Sequence, residues 1–221
     1  GTVKLGIDNA LPSGSVLRLG LDAGQTGVTN STFGLAGFNQ RIAGVTDAGT
    51  DNRHVITNSG PVVATLTVNT PTASSSTFAG ELSGPLDLVK TGNGTLTLSG
   101  ASLMSGGVTV SAGTLVMAAA GTLGSACTNI AVTAGTLSLT GTDGLDNEAA
   151  LRIADGGGAK VNLAAGVNET VGYLYFGDKL RMGGSYGATG SGARMIDDEH
   201  FSGSGILTVR HGNGGTLIRL Q

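Results

Sequence analysis

The acidic and histidine residues of this chain could act as acids, bases or metal ligands. Their spacing in the sequence matches no catalytic or zinc-binding pattern. Glycoside hydrolysis needs two carboxyl groups about 5 to 9.5 Å apart, yet Asp87 is the only acid inside a clear strand-like repeat. The three histidines, His54, His200 and His211, are isolated, and none has a Cys or His at zinc-ligand spacing. We therefore expect no catalytic residue and no zinc site.

Two acidic clusters offer oxygen ligands for calcium, at residues 47–51 and 197–199. Neither follows the spacing of an EF-hand loop. The sequence Asp155-Gly-Gly-Gly-Ala-Lys160 also departs from the calcium-binding Gly-Gly-x-Gly-x-Asp repeat, because Lys160 stands where a ligand would fall. We expect solvated loops at these positions, and neither a metal nor a cofactor.

Nucleophilic serine and cysteine side chains lack their usual setting. The Gly-Ser-Gly sequences at 190–192 and 203–205 are typical of turns, not of the strand-to-helix elbow that presents a catalytic serine. The single cysteine, Cys127, cannot form an internal disulfide, and its strand-like surroundings predict a small buried side chain. Glycosylation sequons are expected by chance in a chain this rich in Ser and Thr. They begin at Asn30, Asn93 and Asn168.

The composition excludes several classes of partner. Charged residues make up 12% of the 221 residues and the formal net charge is -3, which argues against a basic face for nucleic acid. Aromatic residues are only 4%, with no Trp, so stacking platforms for bases or sugars are scarce. No run of 18 apolar residues is present, so we expect no membrane-spanning helix.

Short segments of alternating polarity must position these side chains. Residues 95–99, 108–111 and 136–140 alternate apolar residues with Thr or Ser, which places all apolar side chains of a strand on one face. The Gly-rich corners between them are too short for helical crossovers. An antiparallel sandwich or barrel and a parallel β-helix both satisfy that constraint.

The spacing of the Gly-Thr-Leu units favours the β-helix. These units begin at Gly94, Gly113 and Gly135, about one solenoid coil apart. The sequence therefore predicts an all-β fold, a parallel β-helix (β-solenoid) with roughly 20 residues per coil and about 11 coils. Only residues 147–153 approach a helical pattern, of two turns at most.

The chain is expected to form one β-helix domain, residues 1–221, with regions of different regularity. Residues 47–53 and 71–77 read as polar loops that leave the coil. Large aromatic side chains are concentrated near the C-terminal end and predict a thicker core or an end cap there. The regions are irregular opening coils (1–76), the best-defined repeats (77–140), a closing module (161–209) and an extra terminal strand (210–221).

Residues 77–116 carry a recognisable set of motifs. Phe-x-Gly-x-Leu-x-Gly, Lys-x-Gly-x-Gly-Thr-Leu-x-Leu-Ser-Gly and Ser-Gly-Gly-x-Thr-x-x-x-Gly-Thr-Leu follow one another in that order. This order resembles the passenger-associated β-strand repeat of bacterial autotransporter-like proteins, the autotransporter-associated β-helix family, and residues 161–209 look like the closing module of such proteins. The resemblance implies a right-handed β-helix exported to the outside or outer surface of a diderm bacterium, with no catalytic residues.

Two functions are consistent with these features. The first is a non-catalytic structural rod, stalk or fibre. Residues 1–5 and 215–220 both read as repeat strands without polar caps. Such ends allow copies to stack head to tail, and the alternative is that both ends are cut from a longer passenger. The second is an adhesin that holds a glycan or a host protein through the loops at 47–54 and 71–77 and through outward Thr ladders.

Overall fold

The computed structural model describes residues 1–20, 30–48 and 54–213, and this part of the chain contains strands and turns but no helix. It accordingly has no helix long and apolar enough to cross a membrane. The strands are β1 (Thr2–Lys4), β2 (Val16–Leu19), β3 (Thr32–Gly34), β4 (Gln40–Ile42), β5 (Gly44–Asp47), β6 (Val55–Thr57), β7 (Ala64–Asn69), β8 (Ser75–Phe78), β9 (Glu81–Gly84), β10 (Leu86–Thr91), β11 (Thr95–Leu98), β12 (Leu103–Met104), β13 (Val108–Val110), β14 (Thr114–Met117), β15 (Asn129–Val132), β16 (Thr136–Leu139), β17 (Ala150–Ile153), β18 (Lys160–Leu163), β19 (Asn168–Val171), β20 (Tyr173–Phe176), β21 (Lys179–Leu180), β22 (Gly184–Gly187), β23 (Met195–Ile196), β24 (Phe201–Gly203) and β25 (Ile206–Val209).

Parallel pairing of strands from successive coils builds three faces. Face A stacks β1, β3, β6, β9 and β12. Face B stacks β4, β7, β10, β13, β15, β17 and β20, and face C stacks β8, β11, β14, β16, β18 and β24. The pair β2–β5 lies beside β8 and so precedes face C. The predicted all-β parallel β-solenoid is therefore confirmed.

The number of coils is smaller than the sequence predicted. Face B stacks seven parallel strands one turn apart, so the solenoid makes about 6 turns and not about 11. The predicted coil length holds in the centre, where Leu88 pairs with Val108. Coils near the two ends are longer, because Val16 pairs with Gly44 and Val161 pairs with Phe201. The longer coils contain more than 20 residues each, so the same chain length forms fewer turns than predicted.

Inward side chains stack in register and form the core. On face B each inward residue lies on its equivalent in the next coil, and the same holds on face C. All of these side chains are buried, which removes apolar surface from water at each layer. The central ladders are Leu66, Leu88, Val108, Ile130, Leu151 and Leu174 on face B, and Leu96, Leu115, Leu137, Val161 and Phe201 on face C.

The corners between faces bring backbone against backbone. A Cβ atom on Gly94 would lie 2.2 Å from the carbonyl oxygen of Pro71 and 2.5 Å from that of Ser74, in the preceding coil. Gly113, one coil later, would place a Cβ 2.3 Å from the carbonyl oxygen of Gly92 and also has a φ of +64°. Only glycine fits such corners.

Two sequence predictions of local structure are wrong. Residues 147–153 form a turn and then β17 instead of a short helix, because Leu151 and Ile153 alternate into the core on top of Ile130 and Val132. Residues 71–77 do not leave the coil as a loop. They form a corner and most of β8, whose Phe78 is fully buried.

Other sequence predictions reach beyond the described residues. In the loop at 47–54, residues 49–53 lie outside the described ranges. Most of the region 210–221, including the repeat strand expected at 215–220, also lies outside them.

Antiparallel strand pairs lie at the C-terminal end of the described stack. Strand β21 pairs antiparallel with β20 at the end of face B. Strand β22 pairs antiparallel with β25, which itself continues in parallel from β19. Phe176 lies edge-on to both Tyr186 and Phe201, with ring centroids 6.1 Å apart in each case. This end therefore differs in strand direction and in core composition from the layers before it.

Candidate binding groove and buried polar sites

The outward side of face B carries a groove, here called the face-B groove. One part has a volume of about 200 Å³ and is lined by Thr65, Asp87, Thr109, Asn129 and Arg152, among others. Its floor is low because Gly107 and Ala131 present almost no side chain. A second part, of about 520 Å³, is lined by residues of the first coils, including Asn39 and Arg41. Thr65 lines both parts, so the two parts adjoin on the same face.

Asp87 is the acid that the sequence singled out, and it lies alone in this groove. Its Oδ1 accepts a hydrogen bond of 2.7 Å from the backbone N–H of Gly107, one coil later. No second carboxylate lines this part of the groove in the described chain, so the pair that glycoside hydrolysis requires is missing here. Asp87 is suited to accept hydrogen bonds from a ligand.

Arg152 closes one end of the groove with its guanidinium fixed in place. The guanidinium carbon lies 3.8 Å from the ring centroid of Tyr175, which is its neighbour in the next layer. Stacking on an aromatic face orients the plane of the guanidinium and leaves the N–H groups at its edge free to donate. Arg152 is exposed, so those donors face solvent.

The three histidines that are isolated in sequence lie in three different settings. His54 is buried, and its Nε2 lies 3.1 Å from the carbonyl oxygen of Ala48. The Nε2 of His211 lies 2.9 Å from a carboxylate oxygen of Glu148. His200 is also buried.

His200 joins the closing strands to an earlier coil. Its Nδ1 lies 3.0 Å from Oδ1 of Asp197, and its Nε2 lies 3.3 Å from Oδ1 of Asp155. Its ring stacks on Phe176 at 3.9 Å between centroids. Among the described residues no hydroxyl or thiol is hydrogen-bonded to this imidazole, so the arrangement lacks the nucleophile of a catalytic triad. Its role is to hold elements together.

The acidic clusters considered for calcium use their oxygens within the protein. Asp197 accepts hydrogen bonds from the backbone N–H groups of Glu199 and His200. Asp198 accepts from the backbone N–H and the hydroxyl of Thr189, and these bonds lower the pKa of its carboxyl. Asp47 accepts from the N–H of Ala79. Across residues 1–20, 30–48 and 54–213, no three His, Cys, Asp or Glu side chains are grouped closely enough to hold a metal ion.

The remaining sequence candidates lie at turns and on the surface. Ser191 accepts a hydrogen bond from the backbone N–H of Ala193 within its turn, and Ser204 is exposed between β24 and β25. The sequon residues Asn30, Asn93 and Asn168 are all exposed.

Comparison with known families identifies the central coils. Residues 88–117 match the family model described as Passenger-associated-transport-repeat. The chain carries an autotransporter passenger repeat. No curated protein and no solved structure matches the chain. The resemblance seen in the sequence is therefore confirmed, and together with the β-solenoid fold it indicates an exported repeat protein.

Lys90 is a residue of the passenger repeat whose role the sequence did not reveal. The side chain is fully buried at the corner between β10 and β11. Its Nζ donates to the carbonyl oxygens of Thr91 at 2.8 Å, Gly92 at 2.7 Å and Ala112 at 3.2 Å. Burial lowers the pKa of Lys90 to about 8. The lysine of the Lys-x-Gly-x-Gly motif thus ties one corner to the corner of the next coil.

Replacing Lys90 with methionine should lower the free energy of unfolding by about 2 kcal/mol, because three corner carbonyl groups lose their donor. Urea denaturation followed by circular dichroism measures this change. Lys179→Met, at an exposed lysine of β21, is the matched control and should change stability by less than about 0.5 kcal/mol. Equal stability of Lys90→Met and the wild-type chain would contradict the role assigned to the ammonium group.

Glu169 is a buried acid that sequence reasoning also missed. It lies on β19 with its side chain inward and has no exposed surface. Its Oε2 accepts from the N–H of Gly144 at 3.0 Å and its Oε1 from the N–H of Thr170 at 3.3 Å. Burial outweighs these bonds and raises the pKa of Glu169 to about 7. The alternation of Val167, Glu169 and Val171 was the available signal, since residues two apart share a face.

Cys127 is buried, as the sequence predicted. Burial, together with the negative charges of Asp87 and Asp146, raises the pKa of the thiol to about 12. A thiol that remains protonated and enclosed is a poor nucleophile. Cys127 therefore acts as a small apolar residue of the core.

Proposed function

We propose that the protein is a non-catalytic structural solenoid that is exported to the outer surface of a diderm bacterium and forms a rod, stalk or fibre there. The passenger repeat supports export. The single observation that carries the structural role is the unbroken stack of parallel strands along face B, whose inward residues lie in register from coil to coil. A stack of this kind forms an elongated body, and it needs no reactive centre to do so.

In this proposal, copies of the chain associate head to tail through their terminal coils. Strand β1 is exposed along its whole length, and Val3 and Val16 are 62% and 58% exposed. A cavity of about 480 Å³ beside β1 is lined in part by the apolar residues Leu11, Leu17 and Phe33. Among the described residues, β1 pairs with a strand on one side only, and a strand edge left open next to apolar surface is a template for a further layer.

Sedimentation velocity and electron microscopy over a range of concentrations test the association. We expect filaments that lengthen as the protein concentration rises, since a heterologous contact does not close. Val3→Lys and Val16→Lys should suppress them by placing charge on the edge. Val62→Lys, at a valine that is 64% exposed but lies between β6 and β7, with β3 between β6 and the terminal strand β1, is the control and should leave filaments unchanged. A monodisperse monomer at all concentrations would contradict the association.

A second candidate function is that of an adhesin, which the face-B groove favours. The loop at 71–77, which the sequence offered as a binding surface, is part of the coil, so the groove replaces it as the surface to test. Arrays of glycans and of extracellular matrix proteins probe this role. Retention of the chain by at least one class of array, reduced when the groove is altered, is the expected result, and no retention by any array would contradict it.

A further inference from the structure

The face-B groove has the length and direction of a binding site for an extended polymer. Arg41 and Arg152 belong to the same outward row of face B, and the register places them five strands apart. At about 4.8 Å per strand, this separation is about 24 Å along the solenoid axis. A small compact ligand would occupy only one part of such a groove, whereas a chain lying along the axis would contact both arginines.

The chemistry of the lining fits a polyhydroxylated ligand. The carboxylate of Asp87 can accept hydrogen bonds. The amide of Asn129 and the hydroxyl groups of Thr65 and Thr109 can both donate and accept them. The Oδ2 of Asp87 makes no hydrogen bond among the described residues, so it is available to a ligand hydroxyl. Closely spaced groups of this kind match the alternating donors and acceptors of a sugar ring.

Other extended polymers fit this surface less well. A peptide that adds to a sheet needs an open edge, but the backbone at the centre of face B is already paired on both sides. A nucleic acid needs several phosphate-neutralising cations, and the groove offers two arginines together with the negative charge of Asp87. The lining therefore favours a glycan.

The two arginines indicate that this glycan carries carboxylate groups. Arginine binds a carboxylate through two parallel N–H donors, and the geometry favours a guanidinium that is already oriented. The guanidinium of Arg152 lies over the ring of Tyr175, and the residue is exposed. We propose that the face-B groove binds a linear glycan containing uronic acid, whose carboxylate pairs with Arg152 and whose neighbouring hydroxyls bind Asp87 and Asn129. This inference rests on the adhesin candidate.

Calorimetric titration of the 221-residue chain with oligogalacturonates tests the proposal, with cello-oligosaccharides of equal length as neutral probes. Oligogalacturonates should bind at least tenfold more tightly than the neutral probes. Arg152→Ala should weaken their binding at least tenfold, and Arg152→Lys should recover only part of the loss because lysine lacks the planar pair of donors. Arg41→Ala should weaken binding of hexamers but not of trimers, since only the longer probe reaches both ends of the groove.

The control variant is Arg194→Ala, which removes the same charge from an exposed residue outside the groove and should change affinity less than twofold. Because Arg152 is exposed, its alanine variant is expected to keep the wild-type thermal unfolding curve. Equal binding of neutral and acidic probes, or equal loss in Arg194→Ala, would overturn the assignment of a uronic acid paired with Arg152. Preference for poly-glutamate over the oligogalacturonates would overturn the glycan assignment. Each of these results would leave the adhesin role standing. Absence of binding to every probe and every array would overturn both, while leaving the structural role intact.

Discussion

Replacing Gly94 with alanine should destabilise the solenoid by about 3 kcal/mol or more. The new Cβ atom would lie 2.2 Å from the carbonyl oxygen of Pro71 and 2.8 Å from the Cγ2 of Thr70. The Gly94 N–H also donates to the Thr70 carbonyl at 3.0 Å, so the two backbones cannot separate without breaking a hydrogen bond between coils. The Gly94 carbonyl also accepts from the N–H of Thr114 at 3.1 Å, so Gly94 is held by the coils on both sides and cannot easily move away from Pro71.

Urea denaturation followed by circular dichroism measures the effect. Gly14→Ala is the matched control, because a Cβ atom there meets nothing within 4 Å and the residue has an ordinary φ angle. The control should leave stability within about 0.5 kcal/mol of the wild-type value, or slightly above it. If Gly94→Ala unfolded at the same urea concentration as Gly14→Ala, the close packing of the corners would be disproved.

Glu169 should make the stability of the protein fall as the pH rises from about 4.5 to about 7. Its pKa is raised from 4.5 in the unfolded chain to about 7 in the folded one, so the folded state holds the proton more tightly. The folded state is therefore most favoured below pH 4.5, where Glu169 is protonated in both states. It loses about 3 kcal/mol of that advantage as the pH passes the folded pKa, because ionised Glu169 is buried.

Glu169→Gln should remove this dependence. At pH 4 Glu169 is protonated, and glutamine resembles this neutral form, with one acceptor oxygen and a donor group in place of the hydroxyl. The variant should therefore be within about 1 kcal/mol of the wild-type stability at that pH. The free energy of unfolding of the variant should then change much less between pH 4.5 and 8 than that of the wild-type chain. Glu199→Gln, at an exposed acid, is the control and should reproduce the wild-type slope. A Glu169→Gln variant with an undiminished slope would show that another group titrates.

The sequence carried most of the information about the fold. Alternation of apolar and small polar residues located strands such as β11, β13 and β16, since period two is a local property. The spacing of Gly94 and Gly113 indicated that these strands stack instead of forming hairpins, and Thr95 pairs with Thr114 as that spacing requires. The helical interpretation of residues 147–153 failed because burial on top of β15 overrides the local preference of Ala and Glu for helix.

The candidate sites depend on contacts between residues that are distant in the sequence, and the sequence alone does not show these contacts. Asp87 was singled out as the acid within a repeat, but the groove around it depends on which residues face outward in four other strands. His200 and Asp155 are far apart in sequence and meet only because β18 pairs with β24. Lys90 belongs to a visible motif, yet its contact with Ala112 requires knowing how the next coil is placed.

The near-constant register of the central coils has a consequence for how the chain folds. Thr95 pairs with Thr114 and Thr136 with Lys160, so neighbouring layers in the central part of the stack are joined by chain segments of similar length. The entropy lost on closing each of these segments is then nearly the same at each central step. Once a first pair of layers has formed, growth resembles the extension of a one-dimensional crystal, and adding whole coils to the chain would lengthen the rod without slowing the attachment of any single layer.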